Sequence, residues 1–292
     1  MINFYESILK HPDYHRQFRC GESLITVFSC PANVRLSPDL LTDIWSRYNY
    51  IFYVVEGRKI WHTTQGSYDI HEGDCVFVRK GASIIEQFFD KGFCLVLFFL
   101  PDEFICNTLR TKTNPISSAS KTYDSVMKLN ATETVTSFFQ SMTPYFTGTQ
   151  EPDQSLLELK FRELILTLAD DQRNAELLAY FRCLLQEPQA GTLQRVMDDN
   201  YCYNLKLEQY AELSNRSLSA FKRDFQKLFH TTPGKWLLQK RLAHAQHLLS
   251  NLNRTVSEAA FESGFENPSH FSRSFKERFG IPPAAMKRAQ II

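Results

Sequence analysis

Two runs near the C-terminus carry residue types that can read the edges of DNA base pairs. Both runs place basic and small polar side chains on one face of a predicted helix. The residues are Ser219, Lys222 and Arg223 in the first run, and Ser269, His270 and Arg273 in the second. Arg and Lys donate to the guanine acceptors, and each good contact gives about 1–3 kcal/mol of discrimination. A helix with cations and small polar groups on its outer face suits a DNA major groove.

Four more polar residues lie beside these runs and suit contacts to the DNA backbone. They are Ser217, Lys227, Asn267 and Lys276. Phosphate contacts fix the register of a protein on the duplex without reading its sequence. For Lys227 and Lys276, a solvated surface charge is an equally good interpretation.

The apolar residues of both runs recur at helical spacing and predict two recognition helices. The first helix follows Ser217, a good N-cap, and has Phe221 and Phe225 on its apolar face. The second helix runs from Pro268 to Phe279, with Asn267 as its N-cap and proline at its first position. A short helix and a turn precede each one, which is the arrangement of a helix-turn-helix unit.

A continuous helix from Pro233 to Leu249 is predicted to join the two units. Gly264 closes the first helix of the second unit and Gly280 ends the recognition helix, because glycine tolerates the left-handed conformation that these positions need. Two recognition helices that enter successive major grooves must lie about one DNA turn apart, roughly 34 Å. The joining helix is predicted to set this spacing.

This stretch resembles the DNA-binding domain of the AraC/XylS family of transcription regulators, over about residues 193–288. The most specific motifs are Pro233…Trp236-Leu237…Arg241-Leu242…Ala245…Leu248-Leu249 and Gly264-Phe265…Pro268-Ser269-His270-Phe271-Ser272-Arg273…Phe275-Lys276…Phe279-Gly280…Pro282. Asn215 and His230 stand where the family usually has glycine, and both residue types can adopt positive φ at some cost. The resemblance implies a transcription regulator, most often an activator, that binds double-stranded DNA and RNA polymerase. It also implies the readout residues named above.

The charge distribution agrees with a DNA-binding C-terminal half. The net charge of the 292-residue chain is +1 at pH 7. Residues 190–292 hold 15 Lys and Arg against 9 Asp and Glu, whereas residues 1–189 hold 18 against 23. A basic half beside an acidic half suggests nucleic-acid binding in the basic half.

Cysteine usage and hydropathy indicate a cytoplasmic protein. The seven cysteines include no CxxC pair, so free thiols in a reducing compartment are expected, with a redox switch as the alternative. No basic and apolar N-terminal run indicates a signal peptide. The longest apolar run, Phe93–Leu100, is too short to span a bilayer and fits a buried strand.

The N-terminal half has short β-branched and aromatic stretches separated by glycine-containing turns, which predicts a sandwich or barrel. Tyr53-Val54-Val55-Glu56-Gly57 and Ile70-His71-Glu72-Gly73-Asp74-Cys75-Val76-Phe77-Val78-Arg79-Lys80-Gly81 resemble the cupin-like barrel at the front of many AraC-type regulators. The expected fold class is α+β, with an N-terminal cupin-like β-barrel with helices followed by an all-α domain of two helix-turn-helix units joined by a long helix. The expected domains are a sensor and dimerisation domain at 1–187, a linker at 188–191 and the DNA-binding domain at 192–292.

Four further segments complete the expected elements. Residues 31–47 are predicted as a loop, and Asp124–Leu129 and Ala131–Met142 as short helices. The helix Ser155–Asp170 has more apolar residues than one narrow face needs. It either covers the barrel as plain core or binds a second copy of the chain; the second interpretation is favoured, so a homodimer is expected.

Control by a small-molecule effector would require a lined interior in the first domain. The candidate lining residues are Tyr53, Trp61, His62, Tyr68 and Phe77. The alternative is that these side chains simply fill the core. A further resemblance, to the ExsA-like subgroup of the family, implies a protein regulator in place of a small ligand. It rests on Val55-Glu56-Gly57, Val76-Phe77-Val78-Arg79-Lys80-Gly81, Leu218-Ser219-Ala220-Phe221-Lys222 and Trp236.

No catalytic residue, metal site or cofactor is expected. His62 and His71 are isolated, whereas a metal cupin needs clustered ligands. No glycine-rich phosphate loop or Gly-x-Ser-x-Gly elbow occurs. Two alternatives stay open, a cupin-type enzyme and a DNA-repair protein, each fused to the helix-turn-helix pair. Metal content would identify the first, and a reactive cysteine in a distinctive N-terminal context the second; Cys20 and Cys30 lack ligand spacing.

Overall fold

The computed structural model describes residues 1–10, 16–30, 41–88, 92–120, 122–149, 151–186, 189–252 and 254–288. The chain divides into two compact units, Met1–Pro188 and Gln189–Ile292. Of the segment predicted as a linker, residues 189–191 form the start of a helix, and residue 188 lies outside the described residues.

The first unit mixes strands and helices. Its elements in chain order are β1 (Ile2–Asn3), α1 (Phe4–Lys10), β2 (Gln17–Cys20), β3 (Ser23–Cys30), β4 (Leu41–Ser46), β5 (Asn49–Glu56), β6 (Arg58–His62), β7 (Ser67–His71), β8 (Cys75–Val78), β9 (Gly81–Gln87), β10 (Phe93–Leu100), α2 (Asp102–Arg110), β11 (Val126–Leu129), α3 (Glu133–Thr147), α4 (Gln154–Asp170) and α5 (Ala175–Gln186).

The strands form two sheets. The five-stranded sheet has the order β1-β4-β9-β6-β7, and the six-stranded sheet has the order β11-β8-β5-β10-β3-β2. Strand β1 pairs with β4 in parallel, and the other described pairs are antiparallel. The confirmed prediction is a β-rich first unit followed by a helical one. The predicted cupin-like barrel is wrong in one respect. The described strands form two facing sheets and do not close into a barrel.

Strand β10 lies inside the six-stranded sheet and is buried on both faces. Leu95 and Leu97 belong to the core between the two sheets. Val96 and Phe98 belong to a second core, between the six-stranded sheet and helices α2–α5. Successive side chains of a strand point to opposite faces, so a strand with two buried faces needs the unbroken apolar run that the sequence shows at Phe93–Leu100.

Two local predictions in this unit are wrong. Val126–Leu129 is strand β11, paired with β8, and not a helix. Leu41–Ser46 is strand β4, paired with β9, inside the segment predicted as a loop; residues 31–40 lie outside the described residues. In both cases the partner strand is distant in sequence, so local periodicity carries little of the signal.

The second unit is helical. Its elements are α6 (Gln189–Asn200), α7 (Leu207–Leu213), α8 (Leu218–Phe229), α9 (Pro233–Asn251), α10 (Val256–Glu262), α11 (Pro268–Phe279) and α12 (Pro283–Arg288). The two predicted recognition helices and the unbroken joining helix are confirmed as α8, α11 and α9. Within the described ranges, no helix has both the length and the apolar content to cross a membrane.

Candidate DNA-binding surface

The first helix-turn-helix unit consists of α7, a turn and α8. Phe221 and Phe225 on α8 are fully buried, and the Phe225 ring centroid lies 6.1 Å from that of Trp236 on α9. Ser217 is the N-cap of α8, because its hydroxyl accepts a hydrogen bond from the Ala220 amide. The buried phenylalanines fix the rotation of α8 about its axis and leave the opposite face exposed.

The second unit, α10, a turn and α11, repeats this arrangement. Phe271 and Phe275 on α11 are fully buried and share a core with the inner face of α9. The Asn267 side chain caps α11 by accepting hydrogen bonds from the amides of Ser269 and His270 at 2.9 and 3.1 Å. The predicted caps of both recognition helices are therefore confirmed.

The two recognition helices are equivalent at an offset of 50 residues. The buried pair Phe221 and Phe225 becomes Phe271 and Phe275, as burial and helix boundaries both show. Arg223 and Arg273 each lie two residues after the first phenylalanine of their pair. The two predicted base-reading arginines thus occupy the same position of the same helix in both copies.

The turns and helix ends have the backbone geometry that the sequence predicts. Asn215 and His230 adopt positive φ values of 54° and 53°. Gly264 and Gly280 have φ values of 82° and 76°. Asn215 and His230 therefore accept the left-handed conformation that the family usually gives to glycine, at some cost in backbone strain.

Arg241 on α9 donates hydrogen bonds to three backbone carbonyls in two segments of the second unit. Its Nε donates to the carbonyl of Tyr201 at 2.7 Å, and its Nη2 donates to that of Tyr203 at 2.7 Å. Its Nη1 donates to the carbonyl of Gly264, in the turn of the second helix-turn-helix unit, at 3.0 Å. In the sequence Arg241 stands out only as part of a motif, because this role depends on residues 23 to 40 positions away.

All ten residues proposed to touch DNA have exposed side chains. They are Ser217, Ser219, Lys222, Arg223 and Lys227 in the first unit, and Asn267, Ser269, His270, Arg273 and Lys276 in the second. The predicted face of each recognition helix is therefore accessible to a macromolecule. Ser217 and Asn267 already use their side-chain oxygens as helix caps.

Cys202 and His244 form a pair that the sequence analysis missed. The Cys202 Sγ lies 3.1 Å from His244 Nδ1, although the residues are 42 positions apart. Burial raises the pKa of the Cys202 thiol to about 12 and lowers the pKa of His244. Both groups are therefore uncharged at neutral pH, which suits packing and not nucleophilic chemistry.

The five residues proposed to line an effector site do not surround one cavity. Trp61 lines a cavity between the two sheets. Tyr53 stacks on Phe139 at 5.1 Å, and Phe77 lies 5.5 Å from Tyr180, both on the helix-covered side of the six-stranded sheet. Alternation along β5 and β8 sends these two side chains away from the space between the sheets.

The remaining two effector candidates make polar contacts elsewhere. His62 Nε2 lies 3.0 Å from Glu86 Oε2. The Tyr68 hydroxyl donates to Asp124 Oδ2 at 2.7 Å. Burial and this hydrogen bond raise the pKa of Tyr68, so it stays protonated.

The cavity between the sheets has a volume of about 150 Å³ and mostly apolar walls. Lys59 is one of its lining residues and is 5% exposed. Its ammonium lies 4.3 Å from the ring centroid of Phe93 and 5.5 Å from that of Phe28, which also line the cavity. The cavity thus combines aromatic walls with one buried cation. In the parts of the chain that the structure describes, no three His, Cys, Asp or Glu side chains are grouped to hold a metal ion.

Comparison with known proteins covers both units. Residues 49–180 match the family described as the ExsA N-terminal regulatory domain, and residues 210–289 match a family described as a helix-turn-helix domain. The virulence regulon transcriptional activator VirF of Yersinia enterocolitica is 25% identical over 244 residues, which cover 82% of this chain and 89% of VirF. The transcriptional regulator ExsA of Pseudomonas aeruginosa is 21% identical over 245 residues, which cover 82% of this chain and 86% of ExsA.

A crystal structure of an apo ToxT variant from Vibrio cholerae aligns with 92% of this chain and 97% of ToxT, at 11% identity and a TM-score of 0.43. The matched domains and the relatives that match along most of their length agree with the duplicated helix-turn-helix geometry. The chain thus combines an N-terminal domain of the ExsA type with a helix-turn-helix domain of the AraC type, and its relatives VirF and ExsA are AraC/XylS-family regulators.

Proposed function

We propose that this protein is a transcription activator that acts in the cytoplasm and binds two adjacent major grooves of its operator, with α8 in one groove and α11 in the other. It would recruit or stimulate RNA polymerase at the neighbouring promoter. Transcription from a promoter with its operator, measured with purified RNA polymerase, should rise when the protein is added; a fall would identify a repressor.

One observation carries the DNA-binding proposal. Two copies of the same capped helix pack their phenylalanines against the single helix α9 and expose an arginine at the same position. A helix that is packed on one face and polar on the other is the part that helix-turn-helix proteins insert into the major groove. The duplicated arginines suit guanine, whose O6 and N7 acceptors match a guanidinium.

Arg273→Ala should lose sequence discrimination at one base pair of the operator. The expected loss is about 1–3 kcal/mol, roughly 5- to 150-fold in relative affinity, because one bidentate contact is removed. The measurement is equilibrium binding of the full chain to duplexes that differ at single positions, after selection of preferred sites from a random-sequence library.

Lys276→Ala on the same helix is the matched control. As a phosphate contact, Lys276 should weaken binding to all duplexes alike and lower the salt dependence of binding by about one charge. If Arg273→Ala also weakened binding uniformly, Arg273 would be a backbone contact and not a reader.

For the first domain, we propose that the cavity between the sheets is an effector site for a small aromatic or apolar anion. A hole of about 150 Å³ holds a benzene-sized molecule, and the buried Lys59 ammonium favours a negative charge beside it. Sodium benzoate should raise the thermal midpoint of the first domain, whereas neutral benzamide should not. The rise should vanish in Lys59→Met. If neither compound has any effect, the ExsA-type alternative of a protein regulator takes precedence.

We also propose that α4 mediates a homodimer. Leu156 and Leu159 on α4 are 42% and 61% exposed, while Phe161 and Leu164 on the same helix are fully buried. Leu159→Glu should convert a dimer into a monomer in light scattering after size exclusion, because a charge replaces an apolar contact. Leu41→Glu is the control, since Leu41 is 53% exposed on β4 and away from α4. A wild-type monomer at micromolar concentration would contradict the proposal.

A further inference from the structure

The exposed arginine of the first recognition helix is held by a chain of two ion pairs. Arg223 Nε donates to Asp224 Oδ1 at 3.1 Å. Arg216 Nε contacts the other carboxylate oxygen, Asp224 Oδ2, at 3.3 Å. The Arg223 side chain is 65% exposed, whereas that of Arg216 is 8% exposed. A buried guanidinium and an exposed one therefore share a single carboxylate.

Arg216 is itself fixed to the turn of the helix-turn-helix unit. Its Nη1 donates to the carbonyl of Ser214 at 2.7 Å. The hydrogen bond from Arg223 lowers the pKa of Asp224, and the bond from Arg216 acts in the same direction. Asp224 is thus ionised at neutral pH and can hold both partners.

The second helix-turn-helix unit shows that the fold does not need this chain of contacts. The amide of Arg216 donates to the Ala211 carbonyl, and the amide of Phe265 donates to the Ala260 carbonyl, so Arg216 and Phe265 occupy equivalent turn positions. Phe265 is 5% exposed and fills its site with an apolar ring.

The residue after the reading arginine also differs between the units. Asp224 in the first unit corresponds to Ser274 in the second, which is 6% exposed. Among the described residues, Arg273 makes no ion pair. The first unit thus has Arg216 and Asp224 where the second has Phe265 and Ser274. As a result, Arg223 has a carboxylate partner.

A gain in folding stability does not explain the arginine and aspartate of the first unit. A buried guanidinium that pairs with a carboxylate must recover a desolvation penalty that a phenylalanine does not incur. The ion pair of Arg223 with Asp224 instead restricts the orientation of the Arg223 guanidinium. An exposed arginine samples many rotamers, and a guanidinium held in advance loses less freedom when it meets a base.

We propose that Asp224 is a positioning residue that orients the Arg223 guanidinium for base readout, with Arg216 as the anchor of Asp224. This inference rests on the proposed entry of α8 into the major groove. It predicts an effect on selectivity and not on general affinity. Loss of Asp224 also removes a negative charge near the DNA phosphates, so binding to unrelated duplexes should be equal or tighter.

The test starts from the full chain and a random-sequence duplex library. Arg223→Ala identifies the base pair that Arg223 reads, as the position where preference is lost. Asp224→Ser should reduce preference at that same base pair about fivefold or more and leave the positions read by α11 unchanged. Asp224→Glu, which can still reach a guanidinium, should restore part of the preference.

A folding control is built into the comparison of the two units. Asp224→Ser alone leaves the buried Arg216 without its carboxylate and could lower stability. The double substitution Arg216→Phe with Asp224→Ser copies Phe265 and Ser274 of the second unit and removes the buried charge. It should keep the wild-type thermal midpoint and still lose preference at the Arg223 base pair.

Three outcomes would overturn the proposal. The double variant could keep the wild-type preference profile. Asp224→Ser could change selectivity further in an Arg223→Ala background, which would show that it acts without Arg223. Preference could instead disappear at a base pair that Arg223→Ala does not affect, in which case Asp224 reads a base itself. If the wild-type chain selects no sequence at all, the proposed function fails before this proposal is reached.

Discussion

Gly264→Ala is expected to destabilise the second unit by roughly 3–5 kcal/mol. The backbone φ of Gly264 is +82°, where a side chain is strained by about 1–3 kcal/mol. A Cβ here would also lie 2.8 Å from the carbonyl carbon of Cys202 and closer still to its oxygen. The backbone of residue 202 would have to move, which adds an overpacking cost of a similar size. Urea unfolding of the full chain, followed by circular dichroism, measures the change in the transition of the second unit.

Gly280→Ala is the matched control for this substitution. Gly280 has nearly the same φ, +76°, and no described atom lies within 4 Å of the position that its Cβ would take. It should therefore show the backbone strain alone, about 1–2 kcal/mol. Equal effects at the two glycines would show that the approach of Cys202 to Gly264 carries no cost.

Arg241→Ala is expected to cost about 3–5 kcal/mol of unfolding free energy in the same unit. The three carbonyls that accept from the guanidinium, those of Tyr201, Tyr203 and Gly264, would lose charged donors worth about 1.5–3 kcal/mol each, with partial compensation by water. Arg241→Lys should recover only part of the loss, because one ammonium cannot span three acceptors that a planar fork reaches.

Lys240→Ala separates this effect from a general loss of positive charge on α9. Lys240 pairs with Asp198 at 2.8 Å, and their side chains are 46% and 37% exposed. Exposed pairs of this kind contribute about 0–1 kcal/mol. If Arg241→Ala changed stability no more than Lys240→Ala does, the three hydrogen bonds would not hold the unit together.

Much of the second unit can be predicted from the sequence, because its signals are local. Ser217 and Asn267 mark the starts of helices, and Gly280 marks an end. Phenylalanines spaced by four residues define the buried faces, so exposure of the opposite side chains follows from helix geometry. Asn215 and His230 adopt positive φ although neither is glycine.

The parts that sequence reasoning missed depend on contacts between distant residues. Strand β11 is a strand because Val126 pairs with Val78, 48 positions earlier. The clamp of Arg241 and the pair of Cys202 with His244 likewise join segments about 40 residues apart. No short window of sequence contains the information for contacts between residues this far apart.

The effector candidates show a different limit. Tyr53 and Phe77 are aromatic residues in strands, as an interior lining requires, but both point to the helices. A period of two identifies two faces of a strand without saying which face encloses a space. Lys59, which does line the cavity, looks like an ordinary surface charge in the sequence.

Because β10 is buried on both faces, this one strand lies between the cavity and α4, the helix proposed to mediate the homodimer. Leu95 lines the cavity, and Phe98 of the same strand lies 5.4 Å, edge to face, from Phe161 on α4. An occupant that shifted β10 by a fraction of an ångström would press on α4 directly, with no relay of intermediate residues. By reciprocity, dimerisation would then change the affinity of the cavity for its occupant by the same factor by which the occupant changes the affinity of the two copies for each other.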